Sequence, residues 1–161
     1  MERNFFLKIL KILNETEYNV IATYTTILNE NDLPNLNENI LLKKFIPDIT
    51  SLSKRTDLAI IHGGHGTVYT AAYSGKPIIG IPLHIEQQYN LDCLVRHASA
   101  IRLSKTFFKE KNLLNAIEKI FSSYDTYLHN AQILSQRLPK PEGDKNAAKR
   151  IIEILNQYRY S

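Results

Sequence analysis

The stretch IIHGGHGTVYTAAYSGKPIIGIPLHIEQQYN, residues 60–90, decides the fold. It gathers four of the chain's six glycines, Gly63, Gly64, Gly66 and Gly75, within thirteen positions, between two short apolar runs and beside His62 and His65. Glycine loosens an unfolded chain, so a sequence that concentrates it needs backbone brought close to something. The run DLAIIH ahead of the glycines has the unbroken apolar character of a strand buried on both faces of a parallel sheet. After HGGHG, TVYTAAYSG reads as a helix stopped by Gly75, and KPIIGIP as a second short buried strand.

The same alternation extends outward. Phe5, Phe6, Ile9, Leu10, Ile12 and Leu13 recur at helical spacing and predict an amphipathic helix over residues 3–15. YNVIATYT, from Tyr18, is short and β-branched, hence a strand, and LNENDLPNLNENI is a loop. A strand is expected from Ile40 to Phe45, closed by Pro47, then a short helix from Ile49 to Ser53. Gln87 to His97 suits a helix, Ala100 to Leu103 a last strand, and helices follow at 112–121, 124–138 and 145–158, the last two parted by LPKPEGD. Helices alternating with single buried strands predict a doubly wound parallel sheet with helices on both faces.

Bulk properties exclude several classes. At 161 residues and 43% hydrophobic content the chain is expected to form one domain over 1–161. Its charge of +4, from 20 basic against 16 acidic residues, is mild and spread out, with no basic run for a nucleic-acid partner. The lone Cys93 permits neither an internal disulfide nor a thiol zinc cluster, which points to a reducing cytoplasm and to Cys93 as a small buried residue. No apolar run approaches the roughly 20 residues of a membrane span. MERNFFLKILKILNE is basic and amphipathic, unlike a secretory signal; packing on a sheet is expected of it rather than contact with a membrane surface.

In a doubly wound sheet, ligands bind where strands end and helices begin. A helix start presents unpaired N–H groups and about half a positive charge, so a phosphate docks there when no Cβ intervenes. Gly63, Gly64 and Gly66 remove those Cβ atoms, and Thr67 is expected at the capping position, so HGGHGT reads as a diphosphate cradle. It is neither the nucleotide P-loop, lacking Gly-Lys-Ser/Thr, nor the dinucleotide fingerprint. His62 and His65 have no Cys or carboxylate at ligand spacing, so no metal site is expected.

HGGxGT, a helix, GKPIIGIP and then EQQYN together resemble the C-terminal, donor-binding domain of GT-B glycosyltransferases that use nucleotide sugars. The resemblance covers residues 45–103 by motif and most of the chain by pattern. It implies a Rossmann-like domain that binds a UDP- or dTDP-sugar without a further cofactor. His62, Gly63, Gly64, Gly66 and Thr67 would hold the diphosphate, Glu86, Gln87 and Asn90 the sugar, and Phe45, Ile46, Pro47 and Thr70 the base and ribose. Thr70 departs from the glutamate that many relatives place against the ribose, and Phe45 and Asp48 from the tryptophan and glutamine of plant-type members. The general base belongs to an acceptor-binding domain or subunit, and peripheral membrane association would come through that partner. The resemblance also implies that the family's first strand, central in the order 3-2-1-4-5-6, is absent, which would leave a slot between two buried edges. A non-catalytic nucleotide-binding or scaffolding module and a nucleotide-sugar epimerase remain as alternatives.

Overall fold

Each apolar run that the sequence predicts as a strand is one in the computed structural model, which describes residues 2–139 and 142–158. Lys140 and Pro141, in the LPKPEGD break, lie outside the described residues. The chain runs α1 (Arg3–Asn14), β1 (Val20–Thr23), β2 (Ile40–Lys43), α2 (Ile49–Lys54), β3 (Ala59–Ile61), α3 (His65–Tyr73) and β4 (Ile78–Gly80). It continues with α4 (Ile85–Arg96), β5 (Ala100–Arg102), α5 (Glu110–Ser122), α6 (Tyr124–Arg137) and α7 (Gly143–Tyr158).

All strand pairings are parallel, but they form two sheets, β1-β2 and β3-β4-β5. Side-chain alternation along the strands assigns residues to two cores. Ile79 faces the cluster built by Phe6, Ile9, Leu10 and Leu13 of α1 and Leu113, Ile117 and Ile120 of α5. Ile78, Ile61 and Ala100 face the opposite cluster, with Ala71 and Ala72 of α3 and Leu91 and Leu94 of α4. Helices therefore cover both faces of β3-β4-β5, and β4 is buried along its whole length. Beyond α3, α6 is tied down by the Ser135 hydroxyl, which donates to Tyr73 O at 2.7 Å.

The β1-β2 sheet is thinner. Its Ile40, Val20 and Ala22 join the α1 and α5 cluster. The register partners Ile21 and Leu41 turn to the other face and stay 44% and 47% exposed. The Asn-rich loop serves this sheet's entry: Asn39 Nδ2 donates to Thr16 O and Tyr18 O, both at 2.9 Å, and Asn37 donates through its N–H to Asn14 Oδ1 and through its Nδ2 to Asn14 O. Amide side chains thus satisfy backbone groups that no strand partner reaches.

Some expectations change. β2 stops at Lys43, so Phe45 lies in the following loop. Cys93 is exposed, because α4 buries the stripe of Gln87, Leu91 and Leu94 and Cys93 sits one residue, about 100°, off it. The last helix forms as expected, yet no residue of α7 is buried.

Candidate functional site

The glycine corner joins β3 to α3. Gly64 has extended backbone angles (φ −60°, ψ 144°), and its carbonyl accepts the first helical bond, from Val68 N–H at 2.9 Å. Gly64 is therefore the capping residue, and Thr67, expected there, is the third residue inside the helix. The N–H groups of His65, Gly66 and Thr67 have no partner within the helix, and no side chain caps them. All three residues are exposed, and no acidic side chain sits in that first turn to neutralise the positive end of the helix dipole.

The glycines divide into different jobs. A Cβ on Gly63, whose φ is +93°, would lie 2.8 Å from both Gln87 O and Leu91 Cδ1, and one on Gly80 would lie 2.3 Å from Leu91 Cδ2. These two glycines admit Leu91, which is fully buried between the ends of β3 and β4. A Cβ on Gly64 would meet His62 Nε2 at 2.8 Å, so the imidazole lies directly over the capping residue. Nothing stands within 4 Å of a Cβ on Gly66. That space is the open part of the corner.

The neighbouring corner, where β4 gives way to α4, closes around the first. Asn90 Nδ2 donates to Gly63 O at 3.1 Å and to Glu86 Oε1 at 2.8 Å, tying the two helix starts together. Glu86 Oε2 lies 3.9 Å from His84 Nδ1. Burial holds the His62 imidazole below its ordinary pKa, nearby positive charge including His84 adds to this, and Glu86 opposes it. His62 is thus neutral in the free chain near neutrality, with one ring N–H to donate. Gln87 is buried, and its Oε1 accepts from Leu83 N–H at 2.9 Å, so half of its amide secures the start of α4.

His62, Gly63, Gly64, Glu86, Gln87 and Asn90 therefore converge, and His84 joins them. Sequence reasoning does not single out His84, although its place, after β4 and before α4, mirrors that of His62 after β3. Phe45, Ile46 and Pro47 lie in the loop after β2, and Thr70 lies in the second turn of α3. No hydrogen bond or ion pair links these four to the cluster among the described residues. Asp48 is occupied elsewhere, since it caps α2 by accepting from Ser51 N–H at 2.9 Å, and Ser51, through its side chain first and its backbone N–H second, holds the carboxyl below the usual range. Two clefts, of about 380 Å³ beside Tyr73, Gly75 and Gln132 and about 270 Å³ beside Lys8, Ile12 and Glu110, contain no residue of the glycine corner. Among the described residues no three His, Cys, Asp or Glu side chains gather to hold a metal ion. No described helix is long and apolar enough to cross a membrane.

Parallel strands alternating with helices, with an uncapped helix start beneath an imidazole at one strand-to-helix corner, define an α/β domain of the doubly wound class. The chain belongs to the glycosyltransferase family 28 C-terminal domain family, which it matches over residues 3–153. It is 23% identical over 156 residues to the uncharacterized UDP-glucosyltransferase YojK of Bacillus subtilis (strain 168), covering 97% of this chain and 38% of that protein. It is 35% identical over 102 residues to UDP-glucuronosyltransferase 2B1 of Rattus norvegicus, covering 63% of this chain and 19% of that protein. The solved calicheamicin glycosyltransferase CalG4 superposes with a TM-score of 0.79 at 17% identity, over 98% of this chain and 40% of that one, a likeness of fold. The chain thus spans well under half the length of these relatives.

Proposed function

We propose that this chain is the donor-binding part of a cytoplasmic glycosyltransferase that moves a hexosyl group from a UDP- or dTDP-sugar. The observation that carries this reading is the uncapped start of α3, with open space at Gly66 and an imidazole over Gly64. In it, the amides of His65, Gly66 and Thr67 take the diphosphate oxygens, and His62 donates its ring N–H to the same group. As the glycosidic bond breaks, negative charge grows on the departing diphosphate, where fixed amide dipoles stabilise it without having to reorganise. Glu86 accepts from sugar hydroxyls, aided by the free Oδ1 of Asn90 and the remaining amide of Gln87. Phe45, Ile46, Pro47 and Thr70 flank the base and ribose from the loop after β2 and from α3.

The acceptor and the general base come from another domain or subunit. Four apolar side chains, Ile85, Phe107, Phe45 and Tyr89, are 67–78% exposed on segments that follow β4, β5 and β2. Exposed apolar surface at that rim suits a protein partner closing over the donor. Titration calorimetry with UDP, UMP and uridine tests the reading: binding should require the diphosphate and weaken in His62→Ala. Absence of binding by any of the three would favour a scaffolding module instead.

A further inference from the structure

The cleft of about 380 Å³ lies where α2, α3 and α6 meet, at the far end of α3 from the glycine corner. The nine residues of α3 separate the two places by about 13 Å along the helix axis. The chain leaves α3 through Gly75, whose φ of +69° turns it toward β4, and Pro77 is fully buried. Lys76 is thus held between a left-handed glycine and a proline that restricts the residue before it to extended angles. It is half-buried and lines the cleft. Lys54, the last residue of α2, lines the same cleft, with its ammonium 4.9 Å from the centre of the Tyr73 ring. A ring face holds a cation in place without cancelling its charge.

Neither lysine has an ionic partner. Among the described residues neither forms an ion pair, and no Asp or Glu lines the cleft. Asp48, which feels the charge of Lys54, is engaged by the Ser51 amide at the start of α2. Carbonyls at a helix end often hold lysines, but here they are already bound. Ala71 O accepts from the Ser74 hydroxyl at 2.6 Å, Ala72 O from Gly75 N–H at 3.1 Å and Tyr73 O from the Ser135 hydroxyl at 2.7 Å. Two like charges gathered in one cleft repel, so the cleft favours an anion.

The rest of the lining is neutral and hydrogen-bonding. Gln132 and Gln136 stand one turn apart on α6, and each amide offers two donors and an acceptor. Ser135 donates to Tyr73 O, which leaves its oxygen able to accept. None of the large exposed apolar side chains borders the cleft to meet a lipid. We propose that this cleft binds a soluble phosphate monoester of a small polyol, such as a hexose phosphate. Lys54 and Lys76 take the phosphate, and Gln132, Gln136 and Ser135 take the hydroxyls. A phosphate monoester carries about −1.5 to −2 charges near neutrality, which two ammonium groups balance, whereas a carboxylate leaves one of them unmet. The proposal holds whether or not the glycine corner binds a nucleotide.

The test is an NMR titration of the isotope-labelled 1–161 chain with glucose 6-phosphate, with glucose and inorganic phosphate as controls and UDP as competitor. The amides of Gly75 and Lys76 should shift and saturate with the ester, stay in place with glucose, and respond to inorganic phosphate about tenfold more weakly. Lys76→Gln and Lys54→Gln should each weaken binding of the ester about tenfold, the loss of one charge-assisted contact. Lys54 is exposed at a helix end, so its variant decides the matter if Lys76→Gln does not fold. Saturating UDP should leave the ester bound. Absence of shifts at Gly75 and Lys76, unchanged binding by the folded variants, glucose or inorganic phosphate matching the ester, or displacement by UDP would each overturn the proposal.

Discussion

The β3-β4-β5 half and the β1-β2 half are built from the same kind of short apolar strand, yet they end in opposite conditions. In the first, Leu91 is locked between Gly63 and Gly80, Asn90 ties two helix starts together, and β4 is wholly buried. In the second, one face has α1 beneath it while Ile21 and Leu41 face outward. A strand's sequence sets its tendency to be buried, but the burial itself depends on neighbours being present on both sides.

Substitutions should divide along that line. Leu91→Ala should be the most disruptive, by about 2–5 kcal/mol in urea unfolding, since it empties a fully buried wedge. Gly63→Ala comes close to it, because left-handed strain of about 1–2 kcal/mol adds to overpacking of about 1–3 kcal/mol against Gln87 O and Leu91. Asn90→Ala, which frees the Gly63 carbonyl, should lower stability by about 0.5–1.5 kcal/mol. In the open half, Ile21→Thr should stay within about 0.5 kcal/mol of the parent. A large loss there would mean that the outward face is covered after all.

The pH dependence sharpens the contrast from the side of the site. Since the folded pKa of His62 lies below its ordinary 6.5, the unfolded chain binds the proton first as pH falls. Stability should therefore be complete above 6.5, fall as pH drops below it, and level off below the folded value. Diphosphate binding favours the imidazolium, so UDP affinity should rise over that same window. Both slopes should flatten in His62→Gln, measured by melting and by calorimetry.

The sequence shows where strands and helices lie because periodicity and punctuation are local properties. It shows the corner because glycines, histidine and the EQQYN segment are close along the chain. It does not show what the glycines are for, since Leu91 meets Gly63 only after α3 and β4 have folded between them. Thr67 looks like a cap by residue type, but the extended angles of Gly64 place the cap three residues earlier. Cys93 looks buried by type, and one step of helical phase exposes it. The Glu86–Asn90 bond is the reverse case, a four-residue helical spacing that is legible directly.

Gly66 tests the central claim most directly, because the fold has no need of a glycine there. Gly66→Ala should stabilise the chain by about 0.4–1 kcal/mol through the unfolded state. In calorimetry, the same variant should bind UDP at least about tenfold more weakly, a loss of about 1.4 kcal/mol. A variant that melts higher and binds UDP as tightly as the parent would contradict the account, for the open amides at the start of α3 would then not be where the diphosphate sits.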